Sequence, residues 1–465
     1  MQSVAQQLRV SFPDSLLQQP FTGNIIVYLS KGTKEPKDML SLLESAPCFR
    51  VQVKNVRPGA TVIIDDKAVY FPVPLSDIER GQYFLQVVWD RNLGGQTIGT
   101  SPGNLYSSSR KVTFTKDRAQ TFTIAADRVV AEKEFKQTAY VKELHVPSRL
   151  LSDFHHQPVF LNGAVRLPKE YLTQPNRRFP IKFYVFGFGG NYHNLSNYNE
   201  PMDPIDTIPC IGVYLDGNCP LGHSVYANSE NNGPWSDALI KEFIPQLEKT
   251  YRTDGQRLLF GHSSGGWTVL WLQTQYPEVF TATWSSSPDP VDFTNFQQVN
   301  LYAHDNFYYD KDSTLRSVGT VAGVFPWISM RNAWQMERVL YRGEQMHSFE
   351  AVFSKKGADG NPERIVNDET GVIDTTVFKH WQQYDIAAYL VNNWDKVKDK
   401  LDGKVRITVG NQDNFLLNYA VKILEQKMGQ LHASFVFAYY PGDHFTVRSP
   451  QWIKDGDDFF KTKLK

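Results

Sequence analysis

The stretch that most constrains this chain is Gly261-His262-Ser263-Ser264-Gly265, a G-x-S-x-G pentapeptide set between two apolar runs. Arg257-Leu258-Leu259-Phe260 predicts a short buried strand before it, and Gly266 to Leu272 predicts a helix that is apolar around much of its surface. Strand, sharp turn and helix are what a nucleophile elbow needs, because the strained turn lifts the serine Oγ clear of the sheet. The flanking glycines let neighbouring backbone approach without a Cβ clash. The helix points its amide-rich N-terminus at the place where negative charge will develop. A pentapeptide with two glycines also arises by chance; the strand and helix around this one carry the expectation of a nucleophile at Ser263.

In this kind of sheet the partners of the serine follow in the order acid, then histidine. Val405-Arg406-Ile407-Thr408-Val409 predicts a strand that runs into Gly410-Asn411-Gln412-Asp413, and Ser434 to Tyr440 predicts the next, running into Pro441-Gly442-Asp443-His444. Asp413 and His444 therefore sit on loops at the sheet edge that carries Ser263, where ligand sites of α/β sheets form. His444 is expected to take the Ser263 proton, and Asp413 to fix the imidazole tautomer and stabilise the imidazolium. Asp443 is the rival acid, but an immediate neighbour rarely reaches round to Nδ1. Of the other histidines among the 11, His262 is expected to line the pocket or pack on the next strand, while His193 and His223 lie upstream and in the wrong order for a base.

Ile181 to Phe186 predicts a strand ending in Gly187-Phe188-Gly189-Gly190-Asn191. Such a turn directs backbone N–H groups toward the site, so an oxyanion hole is expected from the Ser264 amide together with one from Phe188, Gly189 or Gly190; the sequence leaves the choice open. The spacing lacks the lysine of a phosphate-binding loop, so a nucleotide site is not expected.

These stretches resemble the putative esterase family of α/β-hydrolases, which includes esterase D, feruloyl esterases, enterochelin esterases and mycolyltransferases. The likeness covers roughly residues 140–465. It rests also on Gly233-Pro234-Trp235-Ser236-Asp237-Ala238-Leu239 leading into Glu242-Phe243-Ile244-Pro245, on Tyr251-Arg252-Thr253, on Gly410 to Phe415 and on Gly442-Asp443-His444-Phe445. The resemblance implies an α/β-hydrolase fold with Ser263, Asp413 and His444 as nucleophile, acid and base. The chain departs from the family in the long segment between the strand after the elbow helix and the strand bearing the acid.

That segment, residues 286–404, exceeds what a crossover needs, and is expected to contain a cap insertion. Asn332–Leu340 and Ile386–Trp394 predict helices in it, one of them a candidate crossover helix. Its aromatics, Trp334 among them, either stack on a ring of the substrate or fill a core, the latter being the commoner use. Asp289, just past the Trp284 strand, is a candidate site-lining residue alongside His262 and Trp334. Residues 1–135 carry short strand-like runs such as Asn24–Leu29 and Tyr83–Val88, separated by turns such as Arg57-Pro58-Gly59. They predict an immunoglobulin-like β-sandwich, with a structural or substrate-orienting role, ahead of the doubly wound α/β sheet expected over 140–465.

Composition narrows the rest. Lysine plus arginine and aspartate plus glutamate number 49 each, so no net field draws the chain to nucleic acid or a membrane surface. No apolar run is long enough to span a bilayer. Met1 to Gln7 shows no signal-peptide pattern. The appended sandwich, by resemblance, points to a periplasmic or secreted protein, with a cytoplasmic one as the alternative. Three cysteines make no disulfide framework, and Cys210 and Cys219 are expected as buried thiols. No metal-ligand spacing is present, and acyl transfer from a serine needs no cofactor. The expectation is a serine ester hydrolase working through an acyl-enzyme on a small-molecule or glycan ester, carbohydrate-linked or phenolic. The alternatives are an acyltransferase using a sugar hydroxyl, and a non-catalytic carbohydrate-binding protein that keeps the fold. The oligomeric state cannot be read from the sequence.

Overall fold

The computed structural model describes residues 6–39, 41 and 43–465; the N-terminal stretch Met1–Ala5, read above for an export signal, lies outside them. Residues up to Val129 build two facing sheets. One holds three strands, with Gln6–Ser11 between Val62–Ile64 and Gln120–Ala125, and the other holds seven antiparallel strands centred on Phe21–Ser30 and Gly81–Asp90. Trp89 anchors the core between them, meeting Phe12 and Phe21 edge-on at 4.9 and 5.0 Å. Helical structure here, among the described residues, is limited to three-residue turns.

Phe21–Ser30 is buried on both faces rather than one. Ile25, Val27 and Leu29 point into the sandwich core, while Ile26 and Tyr28 point outward into a second cluster with Met336, Val339 and Leu340. The continuous apolar run Ile25-Ile26-Val27-Tyr28-Leu29 is the sequence mark of a strand covered on both sides. What covers it comes from the other half of the chain.

The main sheet of that half is built from β1 (Val141–Pro147), β2 (Phe160–Arg166), β3 (Phe179–Val185), β4 (Ile211–Leu215), β5 (Thr253–His262), β6 (Ala282–Ser286), β7 (Val405–Gly410) and β8 (Val436–Tyr440). They form one sheet in the order β1-β2-β4-β3-β5-β6-β7-β8. The first two pairings are antiparallel and the remaining five parallel. This is the α/β architecture expected from residue 140 onward. Helix α1 (Ser264–Gln275) leaves β5 directly and is buried from Ser264 to Thr274, which is why its sequence is apolar all round.

Between β6 and β7 the chain builds α2 (Met330–Leu340), α3 (Gln345–Phe353), α4 (Thr375–Trp381) and α5 (Ile386–Leu401). Helix α5 packs on α1 and serves as the crossover helix. Most aromatics of this segment are core: Phe293, Phe296, Phe307, Phe349, Phe353 and Trp381 form one cluster that continues onto β7.

The segment also docks the sandwich. Arg342, between α2 and α3, forms a bidentate pair with Asp90 at 2.7 Å on both arms, and neither side chain is exposed. Its other terminal nitrogen donates to the carbonyls of Gly95, Gln96 and Pro220. Next to this pair, Ser41 Oγ lies 2.8 Å from Glu337 Oε1 and 2.9 Å from Glu344 Oε2. Burial raises both glutamates above the ordinary range, and the nearby Glu344 carboxyl raises Glu337 further.

Candidate active site

Ser263 stands at the end of β5 with φ 61° and ψ −128°, a conformation that side-chain-bearing residues rarely adopt. Local sequence permits the turn. A Cβ on Gly261 would strike the Gly265 carbonyl, and one on Gly265 would strike the Val185 carbonyl of β3, so both flanks must be glycine. The Ser263 side chain is partly exposed, and its Oγ makes no hydrogen bond among the described residues.

Asp413 follows β7 and His444 follows β8, and both are buried. His444 Nδ1 lies 2.8 Å from Asp413 Oδ2, a contact in which the ring N–H donates and the carboxylate accepts. Asp413 Oδ1 accepts from the Phe415 amide at 3.0 Å, which fixes the carboxylate, and the His444 amide donates to Asn414 Oδ1 at 3.1 Å, which fixes the loop. Asp443 is engaged elsewhere: its Oδ1 accepts from Phe445 N, Thr446 N and Thr446 Oγ1, closing the turn. The His444 ring lies 4.5 Å from that of His262, the chain neighbour of Ser263, and its Nε2 is unclaimed among the described residues.

His262 packs against the next strand. Its Nδ1 is 3.0 Å from Ser286 Oγ on β6, and burial, with His444 and Arg448 adding to it, holds its pKa well below the ordinary value. A neutral His262 puts no positive charge beside the His444 ring.

Facing Ser263 is the loop after β3. A Cβ on Gly187 would stand 3.0 Å from Ser263 Cβ and 3.6 Å from its Oγ, so the backbone passes close beside the hydroxyl. The Gly190 amide is used within the turn, donating to Gly187 O at 3.0 Å; the amides of Phe188 and Gly189 have no backbone acceptor among the described residues. The Ser264 amide is likewise free, as the first of its helix.

Two supports of this geometry carry no signal in the local sequence. His223 is buried, and its Nε2 donates to Phe186 O at 3.1 Å while its Nδ1 accepts from Val225 N at 3.0 Å. Burial lowers its pKa to about 4, so it stays neutral and keeps that donor in place. Its own amide donates to Ser348 Oγ on α3. Gln345, also on α3, reaches Asp289 Oδ2 at 3.4 Å, and Asp289 accepts from Ser264 Oγ at 2.6 Å. Burial raises the Asp289 pKa to about 6, the Ser264 hydrogen bond opposing it. Asp289 thus lies behind the elbow rather than in the open pocket. Trp334 is 1% exposed and packs on Phe307 at 4.8 Å in the aromatic core, with no contact to Ser263, Asp413 or His444 among the described residues.

The rim is apolar. Phe415 meets the His444 ring edge-on at 4.9 Å, and Trp327 stacks on Phe415 at 5.9 Å. The hairpin of Thr320–Val321 and Phe325–Pro326 ties to the acid loop, Thr320 N donating to Asn414 O at 2.7 Å. Val324, Phe325 and Phe445 are 70%, 67% and 60% exposed around it, an apolar patch left open beside the histidine.

Among the described residues no group of three or more histidine, cysteine or acidic side chains is placed to hold a metal ion, and no helix is long and apolar enough to cross a membrane. Cys48, Cys210 and Cys219 are buried free thiols.

Comparison with known proteins matches the family described as Putative esterase over residues 160–455. A search of curated proteins gives no match. Among solved structures the chain is similar to a ferulic acid esterase, at 13% identity over 71% of this chain and 100% of that one, with a TM-score of 0.40. It is similar to the fluorophosphonate-binding serine hydrolase F of Staphylococcus aureus, at 12% identity over 70% and 98% with a TM-score of 0.40. The S-formylglutathione hydrolase of Agrobacterium tumefaciens is similar at 15% identity over 70% and 96%, with a TM-score of 0.37.

Proposed function

From the premise that this chain belongs to the Putative esterase family, and so to the carboxylic ester hydrolases, we propose that Ser263 is its nucleophile, His444 its general base and Asp413 the acid that orients the base. The observation that carries this reading is the buried 2.8 Å contact from His444 Nδ1 to Asp413 Oδ2. It sits beside a serine held in a strained turn with its hydroxyl free. With Nδ1 committed as a donor, Nε2 presents a lone pair, which is the atom that can take the Ser263 proton.

Ser263 Oγ attacks the ester carbonyl while His444 accepts its proton. The oxyanion forms opposite the free amides of Ser264 and of Phe188 or Gly189, and fixed donors there stabilise charge that exists only in the transition state. The imidazolium then protonates the leaving alcohol, and the neutral ring activates water to release the acid from the acyl-enzyme. Contacts of this kind are often open in the free enzyme and tighten around substrate.

The substrate class we favour is a phenolic or carbohydrate-linked ester. The apolar rim of Phe415, Phe445 and the Phe325 hairpin supports an aromatic or aliphatic acyl group next to His444. The test is hydrolysis of a p-nitrophenyl acyl series and of acetylated and feruloylated oligosaccharides by wild type and Ser263→Ala. Serine-dependent turnover with a preference for the feruloyl ester supports the reading. Turnover that survives Ser263→Ala contradicts it.

A further inference from the structure

A cavity of about 490 Å³ opens near the C-terminal end of α1, between that helix and the start of α5. Twelve residues line it, and none bears a charge, although 21% of the chain is charged. Six of the twelve are carboxamides and four are aromatic. A second cavity, of about 550 Å³, sets the contrast: Asp395, Lys398, Asp399 and Asp402 are among its walls. Charge-free lining thus distinguishes the first cavity from the second.

The lining selects its ligand by chemistry. Each carboxamide offers two donors and an acceptor, so Gln275, Gln382 and Asn392 together can meet hydroxyls in either role. The Nε2 of Gln275 is buried and has no hydrogen-bond partner among the described residues. Trp271 and Tyr384 lie 5.6 Å apart as a tilted pair, and Trp271 is backed by Trp267 at 5.2 Å, so the aromatic wall is rigid. A neighbouring carboxylate, Asp237, is already engaged by Tyr276 Oη and Lys241 Nζ. An anionic ligand would find no cation in the lining itself, the nearby ammonium of Lys396 being engaged with Asn393 Oδ1. A wholly apolar one would strip water from the exposed carboxamides of Gln382 and Asn392 without replacing their hydrogen bonds. What fits is a neutral molecule with many hydroxyls and an apolar C–H face, the chemistry of a sugar ring. The volume lies within the range of small-ligand sites.

We propose that this cavity is a second, non-catalytic binding site for a neutral glycan. It stands about 18 Å from Ser263 along α1, at 1.5 Å of rise per residue over the helix. A glycan held there would be tethered to the same rigid element that carries the nucleophile. The inference rests on the cavity and does not depend on the serine chemistry.

The test titrates the full chain with ester-free xylohexaose, cellohexaose and mannohexaose by calorimetry, with p-nitrophenyl acetate hydrolysis measured alongside. Gln382 and Asn392 are exposed, so Gln382→Ala/Asn392→Ala leaves the fold intact; Gln383→Ala gives an independent check. The expected result is binding of at least one hexaose, weakened about tenfold or more in the double variant as two hydrogen-bonding side chains are lost. Hydrolysis of p-nitrophenyl acetate stays unchanged. No binding of any hexaose by the folded wild type overturns the proposal, as does binding that both variants leave intact. A wild type that binds a hexaose but turns over no ester would overturn the serine reading and leave the glycan site standing.

Discussion

Asp90–Arg342, where the sandwich meets the α2–α3 turn, and Asp413–His444, at the edge of the second sheet, are both closed to solvent and bridged at 2.7 and 2.8 Å. They differ in what is left over. At the first pair the guanidinium grips both carboxylate oxygens, and Tyr341 Oη, Asn104 Nδ2 and the Asn92 amide crowd the same carboxylate. Arg342 cannot give up its proton under any ordinary condition, so the pair is a fixed joint. At the second pair the partner is an imidazole that uses one nitrogen and keeps the other free. A buried pair with every partner committed holds structure; one that leaves a ring nitrogen unclaimed has an atom to which a proton can move.

Breaking each pair should give opposite signatures. Asp413→Asn, which keeps the side chain's shape and leaves no buried charge, should lower kcat by about 10⁴-fold or more, about 5.5 kcal/mol of transition-state stabilisation, with the melting temperature little changed. Steady-state hydrolysis beside thermal melts checks both halves. Arg342→Ala should do the reverse. Leaving Asp90 buried and unpaired should remove about 3–5 kcal/mol of stability, read by urea unfolding, while kcat of the folded fraction stays within a few-fold of wild type. Equal damage to kcat and stability in either variant would erase the distinction.

The glutamates around Ser41 sharpen the comparison through pH. Burial raises Glu337 and Glu344 above the ordinary carboxyl value, so folding favours their protonated forms. The stability this gives is fully present below the ordinary glutamate pKa and is lost as pH rises through the raised values. Stability of the wild type should therefore decline from about pH 4.5 toward neutrality, by on the order of 1 kcal/mol for each pH step, read by urea unfolding across that range. Glu344→Gln should flatten that decline. A flat wild-type profile would mean the pair is not buried together.

The smallest effect is expected behind the elbow. Asp289→Asn keeps an acceptor for Ser264 Oγ but removes a negative charge near His444, and should lower kcat by about tenfold or less, with a pH–rate profile shifted on its acid limb. Unaltered pH dependence would make Asp289 purely structural.

Where the sequence was legible, it was legible for local reasons. Gly261, Gly265 and the apolar runs beside them encode a turn and its neighbours within one short stretch, and Asp413 and His444 each end a run of strand-forming residues. The supports were not legible because their partners are remote. His223 holds Phe186 from 37 positions away, Gln345 meets Ser264 from 81, and Arg342 meets Asp90 from 252. Trp334 illustrates the ambiguity of an aromatic read without its surroundings: the same residue type serves a core or a ligand, and burial decides. The run Ile25 to Leu29 did carry a trace of its partner, since apolar residues on both faces of a strand require a second cover.

The central claim is that Ser263 becomes acylated with His444 as its base. Pre-steady-state hydrolysis of p-nitrophenyl acetate, quenched for intact-mass and peptide mapping, tests it most directly. The account predicts a stoichiometric burst of p-nitrophenol and an acetyl adduct on the peptide containing Ser263, absent in Ser263→Ala and suppressed in His444→Ala. An adduct on another residue, or full turnover in Ser263→Ala, would contradict it.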